Sequence, residues 1–216
     1  HSIILIHQHL QKRVIMKKLL LVACFCVVSI IINVSAGYAA IITNGSFEDM
    51  PRGTGWTLSG QARISGYLES DGILALDFGW DNRRGTGKAS QWFDTVIGQE
   101  YQLEFDYASH GSYTSGPQKL RVLIYDGTSA LIDSYINTGT PYVWDTFTYN
   151  FTATTTTTLL RFGDYTSYGA SYRQDGHVDR VSVTVDNDGD GYYGTDDCDD
   201  NDPAVNPGAQ ELCYDG

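Results

Sequence analysis

The stretch Tyr101-Gln102-Leu103-Glu104-Phe105-Asp106-Tyr107 places an aromatic or aliphatic side chain at every odd position and a polar one between. Period-two alternation is the pattern of a strand with one face in a core and the other in water. The pattern recurs. Phe147, Tyr149 and Phe151 alternate with Thr146, Thr148, Asn150 and Thr152, and Val181, Val183 and Val185 alternate with Ser182 and Thr184. Further strands are expected at 61–67, 73–78, 89–96, 120–125, 130–136 and 157–163. Asp71-Gly72, Ile97-Gly98, Asp126-Gly127 and Asn137-Thr138-Gly139 supply turn chemistry between them. The threonine run 154–158 reads as a loop leading into a strand. No amphipathic helix pattern of useful length occurs between residues 41 and 185. Nine or ten short strands at this spacing predict an all-β fold, two antiparallel sheets packed as a β-sandwich.

Composition agrees. The chain has 216 residues, 42% hydrophobic and 12% aromatic, which is enough to bury a core. Its net charge of −12 argues against nucleic acid or an anionic membrane as partner, since both are met through clustered Lys and Arg. The charge is uneven. Residues 1–40 carry only basic residues, Lys12, Arg13, Lys17 and Lys18, whereas residues 186–216 carry no basic residue at all.

The basic start has a separate reading. Lys17-Lys18 precedes an apolar run from Leu19 to Ile32, followed by Ser35, Ala36, Gly37, Ala39 and Ala40. This is the order of a secretory signal, with Met16 as start and cleavage after Ala39. The run is short for a membrane span, which takes about 20 residues. Two alternatives stay open: lipidation at Cys24 in Leu21-Val22-Ala23-Cys24, and an uncleaved anchor. Residues 1–39 are therefore assigned to upstream sequence plus signal, 40–185 to the sandwich and 186–216 to an acidic tail. Export leaves two cysteines, Cys198 and Cys213, and an oxidising compartment favours a disulfide between them. Closing a loop of about 15 residues contributes roughly 3 kcal/mol in the chain-entropy view.

Three motifs carry a resemblance over 41–185. These are Asn44-Gly45-Ser46-Phe47-Glu48 with Gly55-Trp56; Ser90-Gln91-Trp92 with Gly98; and Gly176-His177-Val178-Asp179-Arg180-Val181-Ser182-Val183. In this order they resemble the galactose-binding-like jelly rolls of extracellular carbohydrate-binding modules and DUF642-type relatives. The departure is Arg180, where the family usually carries Asn. The resemblance implies a structural calcium between the first and last strands, with Glu48 and Asp179 as carboxylate ligands; a solvated Glu48 and a turn-capping Asp179 are the alternative. It also implies a buried Trp56 and a glycan site. Sugars are held by flat aromatic faces beside a few polar groups. The candidates are Trp80, Tyr113, Trp144, Tyr165, Tyr168 and Tyr172, with Asp81, Asn82, Arg83 and Arg84. Most fall in two Gly-bearing, loop-like clusters, 78–84 and 164–172.

The tail holds a metal-ligand spacing. With Asp186 at loop position 1, Asp188 falls at 3, Asp190 at 5, Gly191 at 6, the Tyr192 carbonyl at 7 and Asp197 at 12. Alternating carboxylates wrap one cation, glycine permits the turn, and the final acid closes the cage. The flanks are not helical, so the loop chemistry is present without an EF-hand. Residues 186–216 closely resemble the MopE-type metal-binding motif of bacterial surface proteins, and more loosely thrombospondin type 3 calcium repeats. That family carries a copper label, but copper prefers imidazole, thiolate or thioether ligands. Calcium is expected, with Asp199 and Asp202 as extra ligands. Without cations the like charges should keep the tail extended. In the resembling family a stop at Cys213-Tyr214-Asp215-Gly216 falls inside a motif, which implies further sequence.

No catalytic constellation is marked. Ser109-His110-Gly111-Ser112 is not a nucleophile elbow, and no spacing singles out a carboxylate pair. The expectation is a secreted, non-catalytic, calcium-binding protein that binds glycan or polysaccharide. A calcium-rigidified adhesion or matrix protein, or the non-catalytic part of a larger extracellular hydrolase, are the alternatives.

Overall fold

The computed structural model describes residues 40–79, 87–109, 119–136, 140–165, 176–194 and 197–209. Among the described residues there are ten strands: β1 (Thr57–Ser59), β2 (Arg63–Ser65), β3 (Ala75–Asp77), β4 (Lys88–Asp94), β5 (Glu100–Ser109), β6 (Leu120–Tyr125), β7 (Ala130–Ile136), β8 (Asp145–Thr152), β9 (Thr157–Asp164) and β10 (Gly176–Asp186). They form two five-stranded antiparallel sheets, β1-β4-β9-β6-β7 and β2-β3-β10-β5-β8.

The alternation that predicted β5 is the reason it sits where it does. Tyr101, Leu103, Phe105 and Tyr107 are buried between the sheets, while Glu100, Gln102 and Glu104 face out. Opposite them stand Leu120, Val122 and Ile124 of β6 and Leu160 and Phe162 of β9. An aromatic chain runs through the core: Phe47 against Trp56, Trp56 against Phe162, and Phe162 edge-on to Phe105 at 4.8 Å. Trp56 is buried, and its indole N–H donates to the Asn44 carbonyl at 3.0 Å. Burying one such side chain contributes about 1.5–3 kcal/mol.

β10 is longer than its alternating half, 181–185, predicted. Gly176, His177, Val178 and Asp179 are all buried, so no alternation shows. A bulge between Asp179 and Ser182 then reverses the phase, with Arg180 at φ +50° and Val181 N–H bonded to the Gly45 carbonyl. A bulge adds a residue to one strand and flips the later residues to the other face.

The registers set the two ends of the sandwich. Asp77 pairs with His177, Ser109 with Gly176, Tyr107 with Asp145, Lys88 with Gly163, and Leu120 with both Asp164 and Ile136. The β3–β4, β5–β6, β7–β8 and β9–β10 connections therefore all leave from one end. The β4–β5, β6–β7 and β8–β9 turns, and the exit of β10, lie at the other. Among the described residues no helix is long and apolar enough to cross a membrane.

Candidate functional site

The exit of β10 is where carboxylates converge. Asp186, Asp188 and Asp190 each offer an oxygen, and these atoms lie within 4.8 Å of one another. The local chain dictates this. Asp186, the last strand residue, accepts the Gly189 N–H at 2.6 Å and the Gly191 N–H at 3.0 Å. Asp188 Oδ1 accepts the Asp190 N–H at 3.2 Å, and Asp190 Oδ1 the Tyr192 N–H at 2.9 Å. Each of these last two amides takes one carboxylate oxygen and leaves the other to turn inward. Asp188 Oδ2, Asp190 Oδ2 and Asp197 Oδ2 are buried and have no hydrogen-bond partner among the described residues. Buried, unpaired carboxylate oxygens are costly unless a cation or a proton compensates them. Burial, aided by the charges of Asp190, Asp197 and Asp186, pushes the Asp188 carboxyl above the usual carboxylate range. All donors in the group are oxygen, which fits a hard cation that takes six to eight oxygens.

The position-12 residue, Asp197, is near enough for its charge to act on Asp188 but stands outside the group of three, and its Oδ1 accepts the Asp199 N–H at 3.0 Å. Asp200 was missed by the spacing. It accepts from the Asn187 backbone at 3.2 Å and side chain at 2.8 Å, folding 197–200 back over the loop. Burial pushes its carboxyl up, and the charges of Asp197 and Asp186 add to this. Tyr192 is half-buried, and Gly208 packs against its hydroxyl. Asp199 and Asp202 are exposed and stand outside the convergent group; Asp202 Oδ1 caps a turn at Ala204 N–H. Cys198 is exposed, and no disulfide is present among the described residues; Cys213 lies outside them.

Glu48 and Asp179 meet on one segment. Glu48 Oε1 accepts the Ile73 and Leu74 N–H groups, each at 2.7 Å. Asp179 Oδ2 accepts Ser70 and Asp71 N–H at 2.9 and 3.0 Å, and its Oδ1 accepts Arg180 N–H at 2.9 Å. The first and last motifs thus jointly pin residues 70–74 by backbone amides. Burial raises the Asp179 carboxyl against those amides. Arg180, the departure from the family pattern, reaches Asp106 at 3.2 Å.

In sequence, the sugar candidates fall within the four connections that leave from the end opposite the carboxylates. Trp80, Asp81, Asn82, Arg83, Arg84, Tyr113, Tyr168 and Tyr172 lie outside the described residues. Trp144 is half-buried, with its indole N–H buried and unpartnered among them. Tyr165 is 54% exposed and packs edge-on against Tyr135, centroids 4.9 Å apart. Tyr135 was not foreseen, although its outward place in β7 follows from the alternation of Asp133 and Tyr135. It pairs with Arg121, which pairs with Gly163, which pairs with Lys88. This row crosses the outer face of β4-β9-β6-β7, and Gly163 leaves a flat gap in it. Arg121 grips Asp133 with two bonds of 2.7 Å and lies 5.8 Å from the Tyr135 ring centre. That bond holds the Asp133 carboxyl below its usual range. Trp92, 55% exposed, stands further along the same face.

Comparison with known proteins bears on the tail and on the fold. A family described as a "Putative metal-binding motif" (Cu-binding MopE) matches residues 197–216, so the Asp186–Asp190 carboxylates lie just ahead of the match. No curated protein matches the chain. Among solved structures, the carbohydrate-binding module TmCBM61, determined in complex with β-1,4-galactotriose, is similar with a TM-score of 0.53 and 17% identity, covering 68% of this chain and 99% of that one. The Family 16 Carbohydrate Binding Module-2 is similar at TM-score 0.48 and 14% identity over 66% and 98% of the two chains. The C-terminal family 22 module of Clostridium thermocellum Xyn10B gives 0.47 and 14% over 68% and 92%. The fold is that of carbohydrate-binding modules.

Proposed function

We propose that this is an exported, non-catalytic module that binds calcium at the exit of β10 and a glycan at the opposite end of the sandwich. The observation that carries the reading is the convergence of Asp186, Asp188 and Asp190, with buried unpaired oxygens on Asp188, Asp190 and Asp197. Calcium supplies charge neutralisation there, and extracellular modules typically bind it at about 0.1–1 mM. The chain's own residues do the rest: backbone amides of Gly189, Asp190, Gly191 and Tyr192 orient the carboxylates. A Cys198–Cys213 disulfide would close the tail, and Glu48 and Asp179 are the candidates for a second, structural ion. The signal-like order of residues 17–40 supports export.

For the glycan, support comes from the fold and from Tyr135 and Tyr165 beside the Arg121–Asp133 pair. An exposed aromatic pair beside a polar fork offers a sugar both a stacking face and hydrogen bonds. A pull-down of the full chain on insoluble polysaccharides, β-1,4-galactan included, in millimolar calcium is the test. Retention by at least one, weakened in Tyr165→Ala, is expected; failure on every polysaccharide would refute the glycan half of the reading.

A further inference from the structure

The exit of β10 does not release the chain into solvent. Asp186 still pairs with Glu100 of β5 and is 1% exposed, and the Gln99 side-chain amide donates to its carbonyl. The chain then turns through the carboxylate loop and comes back. Tyr193 is buried at 6% exposure; burial, with the charges of Glu100 and Asp186 near it, raises its hydroxyl pKa. Beside it Gly194 adopts φ +54°, and a Cβ there would stand 3.0 Å from the Thr184 methyl, so this turn lies flat on β10. The loop is thus held at both ends, by strand pairing before the carboxylates and, after them, by the Gly194 turn against Thr184 and the buried Tyr193 near Glu100.

We infer that Tyr193 is a positioning residue that ties the cation loop to the sandwich, so that ion binding stabilises the sheet β2-β3-β10-β5-β8 itself as well as ordering a tail. The inference rests on the metal reading above. An ion that binds only the folded loop stabilises whatever unit unfolds together with it. A loop free at its far end would open alone and leave the strands untouched. Opening the loop would expose the buried Tyr193 ring and lift the Gly194 turn off β10.

Hydrogen exchange on the full chain, with calcium and with chelator, is the test. Calcium is expected to slow exchange at 101–103 and 183–185 as well as across 187–200. At a hundredfold over the dissociation constant, the thermal midpoint reported by tryptophan fluorescence should rise by roughly 5–10 °C. Terbium, whose emission neighbouring tyrosines sensitise, reports binding separately. Tyr193→Ala, which keeps Tyr192, should still bind terbium but lose most of the midpoint shift, and Tyr193→Phe should restore it. Normal ion binding with protection confined to 187–200 would overturn the coupling while leaving the metal reading intact. Absence of any terbium or calcium binding by the unmodified chain would overturn both.

Discussion

Asp126 is heavily hydrogen-bonded, at the end of the sandwich where β10 exits. It accepts from Thr128 N–H and hydroxyl, Ser129 N–H and hydroxyl, and the Thr154 hydroxyl, which arrives from the β8–β9 turn. These bonds, the Ser129 amide first, hold its carboxyl well below the ordinary range. The stabilisation is complete above the unfolded pKa of about 4 and is lost as pH falls toward the depressed folded value. Thermal midpoints of the wild type should therefore fall steeply below about pH 4, and Asp126→Ala should lie lower at pH 7 with a shallower acid slope; equal slopes would contradict this. Gly72 makes a second residue-level case. At φ +61°, a Cβ there would sit 2.2 Å from Glu48 Oε1. Gly72→Ala should cost about 1–3 kcal/mol in urea unfolding. The Asp-Gly pairs at 71–72 and 126–127 were readable as turns. Their long-range partners were not, because Glu48 and Thr154 lie far off in sequence.

Strands were legible where one face is wet. β6 and β7 fall on their predicted bounds, and β5, β8 and β9 within two residues. β1 is three residues long and left no periodic trace. The first half of β10 was hidden because both its faces are covered and a bulge breaks its phase. The convergence of Asp186, Asp188 and Asp190 was legible for the opposite reason: their spacing is local, while Asp200 arrives only through the chain's return to Asn187. Removing one charge from the loop should weaken calcium by at least roughly tenfold in Asp188→Asn, measured by competition with a chromophoric chelator. On the sheet face, Tyr135, Arg121 and Trp92 lie in strands, where loop composition gives no signal. Tyr135→Ala should weaken polysaccharide binding by roughly tenfold in affinity electrophoresis with no loss of thermal stability.

Across the molecule, the antiparallel register separates two chemistries. Every connection that carries a sugar candidate leaves from one end, and the carboxylates gather at the other. On the proposed reading, an ion at the β10 exit would be remote from a glycan bound where those connections leave, and its effect on sugar binding would run through stability alone. Well below the melting temperature, chelation should leave polysaccharide affinity unchanged while lowering the unfolding midpoint. The acidic tail is likewise not a separate body at its start, since Asp186 and Tyr193 are both buried. Sequence showed the blocks of charge but not this docking, because one seated tyrosine in a carboxylate-rich tail has no periodic signature.

The most direct measurement is a calorimetric titration of calcium into the full chain beside an Asp188→Asn, Asp190→Asn double variant. The carboxylate centre predicts saturable binding near 0.1–1 mM in the unmodified protein and its loss in the variant, with the order of magnitude taken as roughly that of extracellular modules. Heat that never saturates, or the same isotherm from both proteins, would contradict it.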